Sequence, residues 1–333
     1  MPEAPELEGV REVLARRVQG RMIEEVLAPR ALVLRCLVPE GTPEVLVGRR
    51  IEAVERVGKF ILLHLSGGLV LAVNPMLTGR LQLAPAGSRR PLKTFLILRL
   101  AGQMELRYYD EKTMGMIYLV EADRLGGIPR LRDQGPDAFD PSLTLETFRE
   151  RLRRHYGEIK GILTAGEVVA GIGNAYADEL LFEAGIYPFR RRRDLNEEEV
   201  AALFTAIRAV LPAARDLVRQ RMGDQIHLKP RDFLKVHGKG GEPCPRCGER
   251  IAAITANQRV TNFCRRCQPG VLVQKGRRLS SRARTADTSA GEQGPRPVQG
   301  GPLSWAEWQS LRPRRTGRPQ RGRAARGRGE KPA

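Results

Sequence analysis

Cys244, Cys247, Cys264 and Cys267 follow the spacing C-x2-C-x16-C-x2-C, and nothing else in the 333-residue chain restricts its folding as tightly. Each C-x-x-C turn offers two thiolates to one ion, and the stretch between the pairs suits a short β-hairpin. The expected result is a closed, tetrahedral four-cysteine zinc site, structural because no coordination position stays open for water. Two disulfides are the competing reading. The paired spacings, the basic surroundings and an N-terminus that does not read as a secretory leader argue against them. In so basic a chain, a small zinc hairpin most often holds one loop against nucleic acid.

The charge points the same way. A formal net charge of +19 and a pI near 10.5 call for a polyanionic partner. From Gly270 onward there are 15 Lys and Arg against 4 Asp and Glu, so this tail holds +11 and the remainder +8. The remainder is still basic enough for DNA. Beyond Gln268 the composition collapses into Arg, Gly, Pro and Ser, and residues 271–333 are expected to form a disordered basic tail. Ser304–Leu311 stands apart, because Trp305, Trp308 and Leu311 share one helical face. It reads either as a short helix that forms on a protein partner or as a solvated linker. The longest apolar runs are strand-length, so no membrane span is expected. The acidic opening Met-Pro-Glu-Ala-Pro-Glu lacks an apolar region, which predicts an intracellular, reducing setting (cytoplasm or nucleoid) and a buried thiol at Cys36.

Length and a 41% hydrophobic content suggest two domains and an appendage, in an α+β multidomain class. Residues 2–125 read as a β domain. Pro5–Val18 has apolar residues at Leu7, Val10, Leu14 and Val18, spacings that predict a flanking helix. Strand-like runs follow at Leu32–Val38, Ile51–Val57, Phe60–Leu65, Leu69–Val73, Phe95–Leu100, Glu105–Tyr109 and Met116–Val120, as in an antiparallel sandwich or barrel. Residues 126–141, rich in Gly and Pro, read as a linker. Residues 142–236 are helical, with segments at Leu143–His155 and Asn196–Gln220. Pro212 is expected to kink or split the second. Between them Gly171-Ile172-Gly173-Asn174 runs straight into a helix. Residues 237–270 form the zinc finger.

Removal of Met1 before a small residue would leave Pro2 with a free secondary amine. An α-amino group has a reference pKa of about 7.7–8.0, so a large neutral fraction exists near neutrality. Such an amine can attack a sugar C1′ and form an iminium, and Glu3 beside it can move protons at the same sugar. Read alone, a Pro-Glu start is equally an ordinary terminus.

The opening Pro2-Glu3-Ala4-Pro5-Glu6 resembles the P-E-x-P-E start of the formamidopyrimidine-DNA glycosylase and endonuclease VIII family of base-excision repair enzymes. The similarity continues in order. Val57-Gly58-Lys59-Phe60 is similar to the family's strand with its active-site lysine. Gly171–Glu179 with Leu180–Pro188 resembles its helix–two-turns–helix segment, and Gly241–Cys267 its zinc finger. The resemblance covers roughly residues 2–270. It implies a glycosylase with AP lyase activity on double-stranded DNA containing oxidised bases or abasic sites, acting as a monomer with one structural zinc ion. It also implies roles. Pro2 is the nucleophile, Glu3 the proton shuttle, Lys59 a cation that keeps the Pro2 amine neutral, and Arg259 the contact to the phosphate released last. Asn174 and Lys160 are implied phosphate ligands, Asn174 together with backbone N–H groups at a helix N-terminus.

The family flips its target base and fills the gap with side chains of the N-terminal domain. Here Leu77 in Asn74–Gly79 takes the wedge position, and Lys112 and Met114 in Asp110–Gly115 replace an arginine and a phenylalanine. Arg221–Val236 is short for a loop that caps oxidised guanine, a trait of the endonuclease VIII branch. Thr164-Ala165-Gly166 departs from the family's usual acid-plus-amide triplet. His64, His155, His227 and His237 have no ligand spacing with the cysteines and read as structural or phosphate-facing. The alternative to an enzyme is a catalytically inactive zinc-finger protein that binds damaged DNA; keeping Pro2, Glu3 and Lys59 together speaks against it.

Overall fold

Helix α1 (Ala4–Val18) starts where Glu3 caps it. Glu3 and Glu6 form a reciprocal capping box, and the apolar face of Leu7, Val10, Val13, Leu14 and Val18 is buried. The computed structural model describes residues 1–256 and 259–270, with two further short strands at Val273–Gln274 and Arg277–Arg278 that pair antiparallel. Apart from those strands, the expected basic tail with Trp305 and Trp308 lies outside the described residues.

Nine strands follow α1: β1 (Ile23–Leu27), β2 (Leu34–Cys36), β3 (Ile51–Val57), β4 (Phe60–Leu65), β5 (Leu69–Asn74), β6 (Gly79–Pro85), β7 (Thr94–Leu100), β8 (Met104–Asp110) and β9 (Met116–Glu121). They form two sheets, one in the order β1-β7-β8-β6 and the other β2-β9-β5-β4-β3. Apolar side chains of both sheets meet in one core, which α1 joins. The expected sandwich is therefore present, with one detail changed: β2 runs parallel to β9, Leu34 opposite Ile117. The run expected as one strand at Leu32–Val38 begins instead as a 3-10 turn at Ala31–Val33. Cys36, on the edge strand β2, is only partly buried.

The Gly- and Pro-rich stretch after β9 is packed down. Ile128 and Leu131 cover the outer face of the five-stranded sheet, against Phe60, Leu62, Val70 and Tyr118. Asp137 takes both terminal nitrogens of the buried Arg56 at 2.6 Å.

The helical region contains α2 (Leu145–Arg153, capped by Thr144), α3 (Ile159–Ala165), α4 (Asn174–Glu183) and α5 (Glu197–Met222). Asn196 and Glu199 close a capping box on α5. The helix runs unbroken through Pro212, so the expected split does not occur. Leu203, Ile207, Leu211, Ala214 and Val218 form one continuous buried stripe on both sides of the proline. The residue whose carbonyl loses its partner, Arg208, is exposed, so water can satisfy that carbonyl. The last turn of α5, at Val218 and Met222, leaves the helical core and packs against α1 and the sandwich. Finally β10 (Ile251–Ala256) and β11 (Arg259–Cys264) pair antiparallel, Ile251 opposite Cys264. No helix among the described residues is long and apolar enough to cross a membrane.

Candidate active site and metal centre

Gly58 adopts a φ of 57° and closes a two-residue turn between Val57 and Phe60, which puts Lys59 at the tip of the β3–β4 hairpin. The buried Arg56 fastens the turn from behind: it donates to the Gly58 carbonyl at 3.1 Å and to Glu8 of α1 at 2.7 Å. Lys59 Nζ donates to the Thr164 carbonyl at 3.3 Å, at the end of α3. Burial pushes the Lys59 ammonium below its ordinary value; Glu3 opposes this, and the charges of Arg259 and Arg130 add to it.

Glu3 is 1% exposed. Its carboxylate accepts from the backbone N–H groups of Gly173 (2.7 Å), Ala175 (3.0 Å) and Tyr176 (3.2 Å), the N-terminus of α4. A Cβ at Gly173 would collide with that carboxylate, which explains the glycine. Burial alone would raise the Glu3 carboxyl. Arg231, Lys59 and the N–H groups of Ala175 and Tyr176 outweigh it, holding the group below the usual carboxylate range. Glu3 is thus the anion that the α4 N-terminus binds. Three of the backbone donors at this helix end, those of Gly173, Ala175 and Tyr176, are therefore already taken.

Pro2 is buried beside Glu3. An amine in this part of the fold loses proton affinity. That of Met1 is pushed down to about 5, by burial first and then by the charges of Lys229 and Arg231. Arg231 donates to Glu6 (2.7 Å) and the Met1 carbonyl (2.9 Å), and lies 3.4 Å from Glu3. Arg231, Lys229 and Glu6 were missed in the sequence. Glu6 had a signal in its three-residue spacing from Glu3; Arg231 and Lys229 arrive from the segment after α5, with no local pattern to mark them.

The second cluster lies where α3 and α4 meet the cysteine hairpin. Lys160 is 7% exposed. Its ammonium is held by Asp178 and the Thr261 hydroxyl, both at 2.7 Å, with the Val260 carbonyl at 3.4 Å. Lys160 therefore already joins α3 to α4 and to the hairpin without any phosphate present. Asn174 donates to the same Val260 carbonyl at 2.9 Å. Asp178 also accepts from the His237 ring and the Asn262 N–H, and Glu179 accepts three backbone N–H groups of residues 235–237. Asp178 thus ties the hairpin to α4, and Glu179 ties down the segment that leads into it. Next to Val260, the exposed Arg259 reaches the Thr164 hydroxyl at 3.2 Å.

Leu77 and Met114, 44% and 42% exposed, and the exposed Lys112 sit on the β5–β6 and β8–β9 loops. Asp110 joins these loops: it accepts from the Thr78 hydroxyl and from the N–H groups of Lys112 (3.2 Å), Met114 (2.7 Å) and Gly115 (2.7 Å). A Cβ at Gly79 or Gly115 would strike the Tyr108 hydroxyl, so both loops close on one buried ring. Asp110 is a further organiser that the sequence did not reveal.

The sulfurs of Cys244, Cys247, Cys264 and Cys267 all lie within 4.8 Å of one another, with Cys244–Cys267 at 3.9 Å and Cys247–Cys264 at 3.5 Å. Four thiolates about 2.3 Å from one tetrahedral ion would stand about 3.8 Å apart, so the set fits zinc. Disulfides would need about 2.05 Å and are excluded.

Three family models match the chain: the formamidopyrimidine-DNA glycosylase N-terminal domain at residues 1–117, its H2TH domain at 134–223, and the zinc finger found in FPG and IleRS at 241–270. With that last match, the four cysteines are the ligands of one structural zinc ion. The formamidopyrimidine-DNA glycosylase of Pelotomaculum thermopropionicum is 35% identical, over 80% of this chain and 99% of its own length. That of Moorella thermoacetica is 36% identical, over 76% and 94%. Among solved structures, a point mutant of the Lactococcus lactis FPG in complex with a Fapy-dG containing DNA has a TM-score of 0.73 at 29% identity, covering 81% of this chain and 100% of that one. The MutM (FPG) protein of Thermus thermophilus has a TM-score of 0.70 at 32% identity, covering 80% and 98%. Sequence, domain order and fold agree, and the chain belongs to the formamidopyrimidine-DNA glycosylase family.

Proposed function

We propose that the chain is a base-excision repair glycosylase that removes oxidised bases from double-stranded DNA and then cuts the strand as an AP lyase, working as a monomer on chromosomal DNA. One observation supports this reading above the others. Lys59 of the β3–β4 turn and Arg259 of the cysteine hairpin, far apart in sequence, meet at Thr164, at 3.3 and 3.2 Å, and the Lys59 charge acts on Glu3, the buried neighbour of Pro2.

Trimmed of Met1, Pro2 presents a secondary amine in cationic, buried surroundings that favour its neutral form. The amine attacks C1′, the damaged base leaves with the glycosidic electron pair, and the nitrogen sheds its proton to leave a neutral aminal; the nitrogen lone pair then forms the iminium as the C1′–O4′ bond breaks and its electron pair goes to the sugar oxygen. Glu3 rests as a carboxylate, so it accepts a proton before it donates one. The proton lost by Pro2 is available to it for delivery to the opening sugar oxygen. The iminium acidifies C2′. Loss of that proton expels the 3′ phosphate, and a second elimination expels the 5′ phosphate, where Arg259 offers its guanidinium fork. Leu77 and Met114 fill the gap left by the flipped nucleotide, and Lys112 contacts the backbone. Lys160 and Asn174 act through the hairpin: both hold the Val260 carbonyl and so aim Arg259 and the strand that carries it. Zinc keeps the hairpin folded and supplies no chemistry to the sugar.

The segment from Gly223 to Val236 is anchored by buried Ile226, Leu234 and Val236 and delivers Arg231 to Glu3. So short and tethered a segment has little left to fold over an extruded purine. Formamidopyrimidines and oxidised pyrimidines should therefore be excised faster than 8-oxoguanine. Single-turnover rates on duplexes carrying each lesion check this, and 8-oxoguanine opposite cytosine as the fastest substrate would overturn it.

A further inference from the structure

Thr164 lies in the last turn of α3, and both of its polar groups are turned to the site. Its carbonyl, one of the helix-end carbonyls without a partner inside the helix, accepts from Lys59 Nζ at 3.3 Å. Its hydroxyl donates back to the Gly161 carbonyl at 3.0 Å, which fixes the rotor. With the proton committed there, a lone pair faces Arg259, whose Nη1 donates to it at 3.2 Å. A single residue therefore holds two cations of the site, Lys59 through the main chain and Arg259 through the side chain. Arg259 is exposed and follows the tip of the β10–β11 hairpin. Among the described residues its only side-chain hydrogen bond is the one to Thr164.

We propose that Thr164 is a positioning residue that holds Arg259 beside the reacting sugar and so sets how far strand cleavage proceeds from the first elimination to the second. The inference rests on the role given to Arg259 above. In the second elimination a proton leaves C4′, and its electron pair becomes the C4′–C5′ double bond. The C5′–O bond breaks at the same stage, and the 5′ phosphate departs with the bonding pair. A guanidinium held in place stabilises that leaving charge; one that swings in solvent does so only part of the time. Thr164 touches neither sugar nor phosphate and acts only through Arg259.

The main chain and side chain can be tested separately, because any residue at 164 keeps the carbonyl for Lys59. The measurement uses the full-length, zinc-loaded protein on a duplex with one abasic site. Products ending in the unsaturated aldehyde (first elimination) are resolved from those ending in 3′ phosphate (second elimination). The ratio of the two is independent of the fraction of protein that is active. Thr164→Val should lower the ratio of second to first product about fivefold, as expected for losing one ordinary hydrogen bond. Thr164→Ser, which keeps the hydroxyl, should restore it. Arg259→Gln should lower the ratio at least as far. A wild-type ratio in Thr164→Val, with the loss present in Arg259→Gln, overturns the inference and leaves the role of Arg259 standing. A wild-type ratio in Arg259→Gln overturns both.

Discussion

Glu3 has three backbone N–H donors at the end of α4 and a guanidinium 3.4 Å away. A carboxylate so surrounded rests ionised, and the same positive field acts on any amine beside it. Lys229 contributes to that field: its own ammonium is pushed down by burial first, then by Arg231 and Arg80. The neutral amine of Pro2 is the reactive form, so a lowered pKa extends activity to lower pH, and removing a nearby cation raises that pKa. Lys229→Met should move the acidic limb of the AP lyase pH profile upward by about half a unit or more, a cost of roughly 1.4 kcal/mol per unit. Profiles of single-turnover strand cleavage on abasic-site DNA decide it. An unmoved or lowered limb would mean that Lys229 does not act on the amine.

At the scale of elements, the hairpin of β10 and β11 depends on its metal and on α4. Its core within the described residues is small, chiefly Phe182, Val236 and Ile251 around the cysteines. Zinc removal, or Cys247→Ser, should therefore unfold it, release Val260 from Asn174 and Lys160, and abolish DNA binding. The sandwich has a separate core and should keep its far-UV circular dichroism and its cooperative melting. DNA binding that persists when metal analysis finds no zinc would rule the hairpin out as a DNA clamp. The sequence made this element legible because cysteine spacing is a local signal, and α1, α2 and α5 were legible from their apolar periods, α5 also from Asn196 and the acidic first turn. It did not announce β1, where adjacent Glu24 and Glu25 interrupt the apolar pattern, or β6, whose Leu81–Leu83 alternation lies between Gly79 and Pro85. Helix α3 is seven residues long and contains Gly161, too short for a period to emerge. In the site, Pro2, Glu3 and Lys59 were named from the resemblance. Arg231, Asp110 and the double contact of Thr164 required knowing which distant segments meet. Lys160 and Asn174 were named as ligands of phosphate; their contacts to Asp178, Thr261 and Val260 depend on distant segments and were not legible.

For the molecule as a whole, charge is divided between a body of +8 and a tail of +11. Lys and Arg that neutralise phosphates release counterions, so affinity falls more steeply with salt as more of them engage. Truncation after Gly270 should give a shallower slope of log K against log salt on undamaged duplex and leave lesion excision at saturating DNA intact. An unchanged slope would assign the tail to a protein partner, with Trp305 and Trp308 as its apolar contacts. The central claim, that the chemistry runs through the amine of Pro2, is tested most directly by borohydride trapping on abasic-site DNA with the zinc-loaded protein, Met1 removed. The account predicts a covalent protein–DNA adduct in the wild type and its loss in Pro2→Gly with the fold intact by circular dichroism; no adduct in the wild type, or an undiminished one in Pro2→Gly, would contradict it.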